Sequence, residues 1–397
     1  MRRIIFLSTF TFFLPIFLST DLSAQRGAFK VVTTQIPVHY SGGIAVGDSV
    51  IVFGTGSITG VDYIRDGDQK PRGIPDAGRF RSSGFAVAGD LIVLIDNSEF
   101  SYHVFDPATG KMTDIPGLKN RGATPLRSSG KYVLAVTHDR WTNKEAVAII
   151  DLSGSEPVVN VHPLWKGASR IGQAAFDATA GWLAVTDGYE KVAAILFKSG
   201  DTEPILHDIT DTNGASTEPM AVGGDDLYYF DGKSGVHSVY RLNLRTGAKT
   251  KLAVNPATFL VAAGGGTVAY FARRDARDMN GTEARLVMLK KGGAPAVAVP
   301  ADKFIDGATK NNGMMGFGNR IAVTPDGRYV FISGSDSIGA TEILQYADGA
   351  GVKLVSGSTS ATRPKPLPGS DVVASTSLVA FKTGAGQNTS LAYIKLR

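Results

Sequence analysis

Residues 44 to 54 read IAVGDSVIVFG: a short apolar run, a tight Gly-Asp-Ser break, then a second run of β-branched and aromatic side chains. Val, Ile and Phe suit a pleated, half-buried strand, and a glycine-led break between two such runs signals a hairpin. The pattern returns seven more times. It reads FAVAGDLIVLID from Phe85, PLRSSGKYVLAV from Pro125, AFDATAGWLAV from Ala175 and MAVGGDDLYYF from Met220. Looser copies are VAAGGGTVAYF from Val261, IAVTPDGRYVFI from Ile321 and VVASTSLVAF from Val372. The second strands begin near Val50, Leu91, Tyr132, Trp182, Leu227, Val268, Tyr329 and Leu378, in steps of 41, 41, 50, 45, 41, 61 and 49 residues. Steps bracketing roughly 40–50 residues, filled with short strands, predict four-stranded propeller blades.

A third strand follows in most units, as in SYHVFDPATGKMTDIP from Ser101, EAVAIIDLSG from Glu145 and SVYRLNLRTGAKTKL from Ser238. Each runs into a Gly-based turn and a more polar fourth strand, as suits a blade's exposed outer edge. The last unit ends in SLAYIKLR with no fourth strand after it, while AFKVVTTQI, residues 28–36, precedes the first repeat with nothing else to pair with. Pairing 28–36 with 390–396 closes the ring and removes its open edges. No stretch longer than two turns has helical periodicity. The expectation is an all-β chain, residues 25–397 forming one domain of eight blades, with seven the close alternative and a β-sandwich array the competing architecture. The eighth unit's inner strand is placed at either Pro364 or Val372.

The N-terminal segment, residues 1–24, stands apart. Arg2 and Arg3 precede an apolar run from Ile4 to Leu18, and Leu22-Ser23-Ala24 ends in a small residue before Gln25. That is the layout of a cleaved signal peptide, and the apolar run falls short of the roughly 20 residues of a spanning helix. A secreted or periplasmic protein is expected, with no membrane span in the mature chain. The chain has no cysteine, which excludes disulfides, thiolate metal sites and a cysteine nucleophile. Removal of Arg2, Arg3 and Asp21 leaves 39 basic against 35 acidic residues, net +4, with no basic run of five or more. Nucleic acid is therefore not an expected partner.

HYSGGIAVGDSVIVFGTGS from His39 and VFDPATGKMTDIP from Val104 resemble kelch repeats, although Met112 stands where that pattern has tryptophan. IAVTPDGRYVFISGS from Ile321 resembles the Pro-Asp-Gly repeat of TolB-type and YVTN-type propellers. The resemblance implies a secreted bacterial-type propeller with degenerate repeats. The GH and WD dipeptides of WD40 proteins, the sialidase box and the tryptophan-rich quinoprotein repeat are all missing.

Two loops carry oxygen ligands at alternate positions around glycine, the arrangement calcium needs: Asp62, Asp66 and Asp68 in one, Asp275, Asp278, Asn280 and Glu283 in the other. Neither has a full ligand set, and Arg65, Arg274 and Arg277 stand beside them, so solvated polar turns are the competing reading and no cofactor is expected beyond a weak calcium candidate. Counting 9 to 12 residues back from each second strand picks out His39, Arg81, Arg121, Arg170 and Glu218, four of the five potentially cationic. Those positions lead into the inner strands and share one face with the loop His138-Asp139-Arg140-Trp141, and Asp187 to Glu190 could orient Arg170. Convergent arginines recognise carboxylate, phosphate or sulfate by paired hydrogen bonds; the competing reading is that they pair with carboxylates of adjacent blades. The six histidines show no zinc-ligand spacing, and no P-loop, G-x-S-x-G or dinucleotide fingerprint occurs in context.

Two functions fit. One is a monomeric binding module that takes a partner protein, glycan or small anionic ligand at His39, Arg81, Arg121, His138, Arg140, Trp141, Arg170 and Glu218. The other is a propeller hydrolase or lyase acting on an anionic sugar or lactone. Catalysis is the less favoured reading, because spacing alone places no nucleophile beside a base.

Overall fold

The structure, a computed structural model, describes residues 31–39, 41–119, 126–138, 145–166, 168, 171–187, 191–198, 203–209, 220–233, 236–254, 256–273, 284–290, 296–297, 321–335, 341–347, 351–356, 372–383 and 389–396. They form eight antiparallel sheets of four strands each. In chain order the blades span 44–73, 80–119, 127–163, 173–208, 220–254, 256–297 and 321–356, and the eighth joins 372–395 to the N-terminal strand. Among the described residues the one helical element is a 3-10 turn, Ala77–Arg79, and no helix is long and apolar enough to cross a membrane.

Each blade starts with an inner hairpin. In blade one, Ile44–Val46 pairs with Val50–Gly54, Ile44 opposite Phe53, across the Gly47 turn. In blade two, Phe80–Ala88 pairs with Leu91–Asp96, Phe85 opposite Leu94. The inner strands neighbour one another in cyclic order, and Val372–Ala374 of blade eight lies beside both Ile321–Val323 of blade seven and Ile44–Val46 of blade one. The ring is closed, with eight blades rather than seven, and the eighth inner strand begins at Val372 rather than Pro364.

The chain termini supply that closure. Val31–Pro37 is the outer strand of blade eight and runs antiparallel to Ser390–Lys395, with Val31 opposite Ile394, Val32 opposite Tyr393 and Thr33 opposite Ala392. Thr34 Oγ1 donates to the Leu391 carbonyl at 2.7 Å, and the Val38 amide donates to the Thr389 carbonyl at 3.0 Å. Ile36 and Val38 are buried with Leu391 and Tyr393 against blade one. The orphan strand thus satisfies its edge and its apolar face together.

No single core fills the molecule. Apolar side chains bury themselves between neighbouring blades, as where Val87, Leu94 and Phe105 of blade two meet Val52 and Tyr63 of blade one. Trp182 of blade four likewise packs with Leu227 and Tyr229 of blade five. Second and third strands, covered on both faces, read as continuous apolar runs such as Val50–Gly54, buried throughout. Outer strands have one free edge and are more polar, as sequence patterning implied.

Candidate functional site

Alternating strand direction sorts the connections onto two faces. The inner hairpin turns and the third-to-fourth turns lie on one. The segments leading into inner strands, and the connections between second and third strands, lie on the other.

On the turn face, successive blades are stitched together. The Asp48 amide donates to the Gly89 carbonyl, and the Gly89 amide to the Gly130 carbonyl, both at 3.0 Å. The Ala178 amide donates to Ser129 Oγ, and the Gly224 amide to Asp177 Oδ2. Trp182 Nε1 donates to Asp225 Oδ1 at 3.0 Å, Thr267 Oγ1 to the Gly327 carbonyl, and Thr376 Oγ1 back to Asp48 Oδ1. These bonds bring backbone against backbone. A Cβ on Gly47 would lie 2.0 Å from the Gly89 carbonyl oxygen, and one on Gly264 2.4 Å from that of Thr324.

On the opposite face lie His39 and Arg81, the two of the residues singled out by sequence phase that are described with their side chains. His39 sits ahead of the blade-one inner strand; its amide donates to the Gly54 carbonyl at 3.0 Å, and its Nδ1 lies 2.8 Å from Ser41 Oγ. Arg81 lies in the irregular first part of the blade-two inner strand, bridged to Thr59, with its guanidinium 4.9 Å from the Phe100 ring centre. Because Ile44 and Phe85 hold equivalent register positions, His39 matches Phe80, one residue short of Arg81. The two share a face but differ by one position, so a count back from the second strand is coarser than side-chain alternation. Arg121, Arg140, Trp141, Arg170 and Glu218 lie outside the described residues, as does the side chain of His138, whose backbone ends the strand Tyr132–His138. Glu145 Oε2 accepts the Ile171 amide and so fixes the segment next to Arg170. Asp187, expected to orient that arginine, accepts the Lys191 amide at 3.4 Å. Buried Lys382 of blade eight donates to the Gly42 carbonyl, joining the last blade to the first on this face.

The first calcium candidate does not gather its ligands. Asp62 lies within the strand Val61–Arg65, four residues and so about 13 Å along the strand from Asp66. Burial pushes the Asp62 carboxyl up. Asp66 pairs with Lys395, and Asp68 takes Arg72 Nε and Nη2, each at 2.8 Å, plus the Arg65 amide at 2.9 Å. Its bonds to Arg72 hold the Asp68 carboxyl below the usual range. Together with the Gly67 amide and Tyr393 hydroxyl, 3.3 Å apart, the Asp66 pair ties blade one to blade eight. Asp275, Asp278, Asn280 and Glu283 lie outside the described residues. Among the described residues, no three His, Asp or Glu side chains are grouped to hold a metal.

One polar cluster was not singled out from sequence. On blade two, Asp96 is fully buried and accepts Arg79 Nε on Oδ2. Its Oδ1 takes the Ser98 amide and hydroxyl, both at 2.7 Å, and the Glu99 amide at 2.8 Å. Burial pushes the Asp96 carboxyl up, but the donors of Glu99, Ser98 and Arg79 outweigh it and hold it far below the usual carboxylate range. Beside it, His103 is 5% exposed, with Nδ1 2.7 Å from Asp114 Oδ1 and Nε2 2.9 Å from Ser101 Oγ. Arg79 Nη2 lies 3.5 Å from the same Nε2.

No protein-family model matches the chain, and no curated protein matches it. Among solved structures, it is similar to a chain of the mitotic checkpoint complex at 12% identity and TM-score 0.50, over 88% of this chain and 99% of that one. It is also similar to the β-propeller domain of the trilobed protease from Pyrococcus furiosus, at 14% identity and TM-score 0.50, over 79% and 94%. The chain is a β-propeller. A puromycin-hydrolysing peptidase of Mycobacterium tuberculosis matches at 14% identity and TM-score 0.50 over 91% of this chain and 59% of that one. At such identities the likeness is one of fold, and it does not single out the kelch or TolB type among propellers. The Pyrococcus domain is described as having an open velcro topology, whereas this propeller pairs its own terminal strands.

Proposed function

We propose that this propeller is a binding module that takes the anionic group of a partner protein, glycan or small molecule on the face bearing His39 and Arg81. The observation behind this reading is the contrast between the two faces. On the turn face the inner hairpin turns are bonded from blade to blade, and where blade one meets blade two Gly47 has no room for a Cβ. The other face gathers the segments leading into inner strands, in which sequence puts Arg121, Arg170 and Glu218, and the second-to-third connections, in which it puts Arg140 and Trp141. Arginine held over an aromatic ring, as Arg81 is over Phe100, is oriented before a ligand arrives and loses less freedom on binding. Export through the leader 1–24, to the periplasm or outside the cell, belongs to the same reading, as does a monomeric state.

The test is a thermal-shift screen of residues 25–397 against phosphate, sulfate, uronic acids and calcium, since a ligand of the folded state raises its stability. For any anion that binds, Arg121→Ala with Arg170→Ala should weaken affinity by about 3 kcal/mol, at about 1.5–3 kcal/mol per charge-assisted bond, with unfolding unchanged. Unaltered affinity with lowered stability would make the arginines ties between blades and end the binding-face reading.

A further inference from the structure

Ser101 and His103 stand two residues apart on the strand Ser101–Asp106, so their side chains project from the same side of blade two. Asp114 is the cross-strand partner of His103 on the strand Lys111–Lys119. A carboxylate can only accept, so His103 Nδ1 carries the ring proton toward Asp114, and Nε2 of the neutral ring is left as the acceptor for the Ser101 hydroxyl. We propose that Ser101, His103 and Asp114 form a nucleophilic triad that hydrolyses small carboxylic esters.

The distances of 2.9 and 2.7 Å and the tautomer are those such a triad requires, and triads are identified by geometry and roles rather than by place in a sequence. Ser101 is partly exposed, so water could satisfy its hydroxyl; burial does not oblige it to point at Nε2. Arg79, fixed by buried Asp96, brings a guanidinium within 3.5 Å of His103 Nε2, the atom that accepts from the Ser101 hydroxyl, so a cation stands beside the reacting pair. Ser101 Oγ attacks the carbonyl carbon as its proton passes to His103 Nε2. The carbon–oxygen bond to the alcohol then breaks, and His103 returns the proton to the departing oxygen. Water attacks the acyl-serine by the same route, releasing the acid and restoring the hydroxyl. The site is on the third strand, two strands or about 10 Å out from the inner strand, and Ser101 directly follows Phe100, the ring under Arg81, so it lies on the same face as the proposed anion site but farther from the axis.

The experiment treats the full chain with an alkyl fluorophosphonate, which forms a bond from phosphorus to serine oxygen as fluoride leaves, and maps the adduct by peptide mass spectrometry. The expected result is a Ser101 adduct formed at least ~10²-fold faster than on N-acetylserine amide in the same buffer, the scale of general-base assistance. Hydrolysis of p-nitrophenyl acetate should be lost in Ser101→Ala. Asp114→Asn should slow both reactions about tenfold, not the ~10⁴-fold of a buried triad, because the Asp114 side chain is 83% exposed and its pairing is screened. Its thermal unfolding should not move, and Asp114→Glu should recover most of the rate, which a merely structural role would not produce. An unlabelled Ser101 in the folded wild-type protein, or labelling no faster than free serine, overturns the proposal; comparison with free serine keeps the test valid even if His103→Ala fails to fold.

Discussion

Cysteines placed at Thr33 and Ala392 would test the ring closure directly. These residues are opposed in the pairing of Val31–Pro37 with Ser390–Lys395, and the natural chain has no cysteine to compete. Opposed residues of antiparallel strands have Cα atoms about 4.5–5.5 Å apart, inside the roughly 4.4–6.8 Å range a disulfide spans. The bond would close a loop from residue 33 to residue 392, nearly the whole described chain. Chain entropy for a loop of about 360 residues gives close to 6 kcal/mol at 25 °C, and engineered bridges commonly deliver less because unfolded chains keep structure. With about 2.1 cal/mol/K of unfolding entropy per residue, 3 kcal/mol raises Tm by about 4 °C and the full 6 by about 8 °C. Intact mass and non-reducing gel mobility report the bond, and melting with and without reductant reports its effect. Cysteines that stay open to maleimide in the folded protein would refute the pairing. A bond that forms without raising Tm would refute the inference that unfolding requires the ring to open.

Asp96→Asn should cost about 2–3 kcal/mol, because it leaves the donors of Arg79, Ser98 and Glu99 around a neutral side chain. Since the folded carboxyl is held below its ordinary value, its contribution is complete above pH ~4, where the unfolded Asp ionises, and is lost as pH falls toward the lower folded value. Urea unfolding at pH 7 and pH 3 should therefore show a shallower acid loss in the variant, and equal slopes would rule this out. Gly47→Ala puts a Cβ 2.0 Å from the Gly89 oxygen and 2.5 Å from Val87 Cγ1, so it should cost about 1–3 kcal/mol or more. Gly73→Ala, which meets nothing within 4 Å, is the matched control and should be nearly silent in the same melt.

The architecture was legible because its signal repeats. One hairpin such as IAVGDSVIVFG fits many β folds, but eight copies at blade-length intervals, with an unpaired strand at each end, require a closed array. The inner and second strands were the most readable, because each is covered by a neighbouring blade and must be apolar, as Val133, Leu134 and Ala135 are. The stitching across the turn face was not readable: nothing in Asp48 or Thr376 announces that they meet, since they are 328 residues apart and their contact depends on the ring. The aspartates around Gly67, read from sequence as solvated polar turns or a weak calcium candidate, are the opposite case. Their spacing imitates a cation loop, while the chain between Asp62 and Asp66 is strand, which carries the two carboxylates apart.

Positions at blade ends were less readable than strands, because a one-residue difference in the approach to an inner strand moves a side chain to the other side of the chain. His39 and Arg81, two of the positions picked by counting back from the second strands, differ by that one step once Ile44 and Phe85 are aligned. The Ser101–His103–Asp114 cluster shows which signal would have been sharper. Within a strand, alternation already puts Ser101 and His103 on one side. The partner follows from the hairpin: the turn at 107–110 sets Asp106 opposite Lys111, and counting outward brings His103 opposite Asp114. A histidine beside a serine two positions away, with an acid at the matching register of the next strand, is therefore a pattern that turn length can reveal. Examining the histidines for metal spacing could not reveal it, because the chemistry lies across the sheet rather than along the chain.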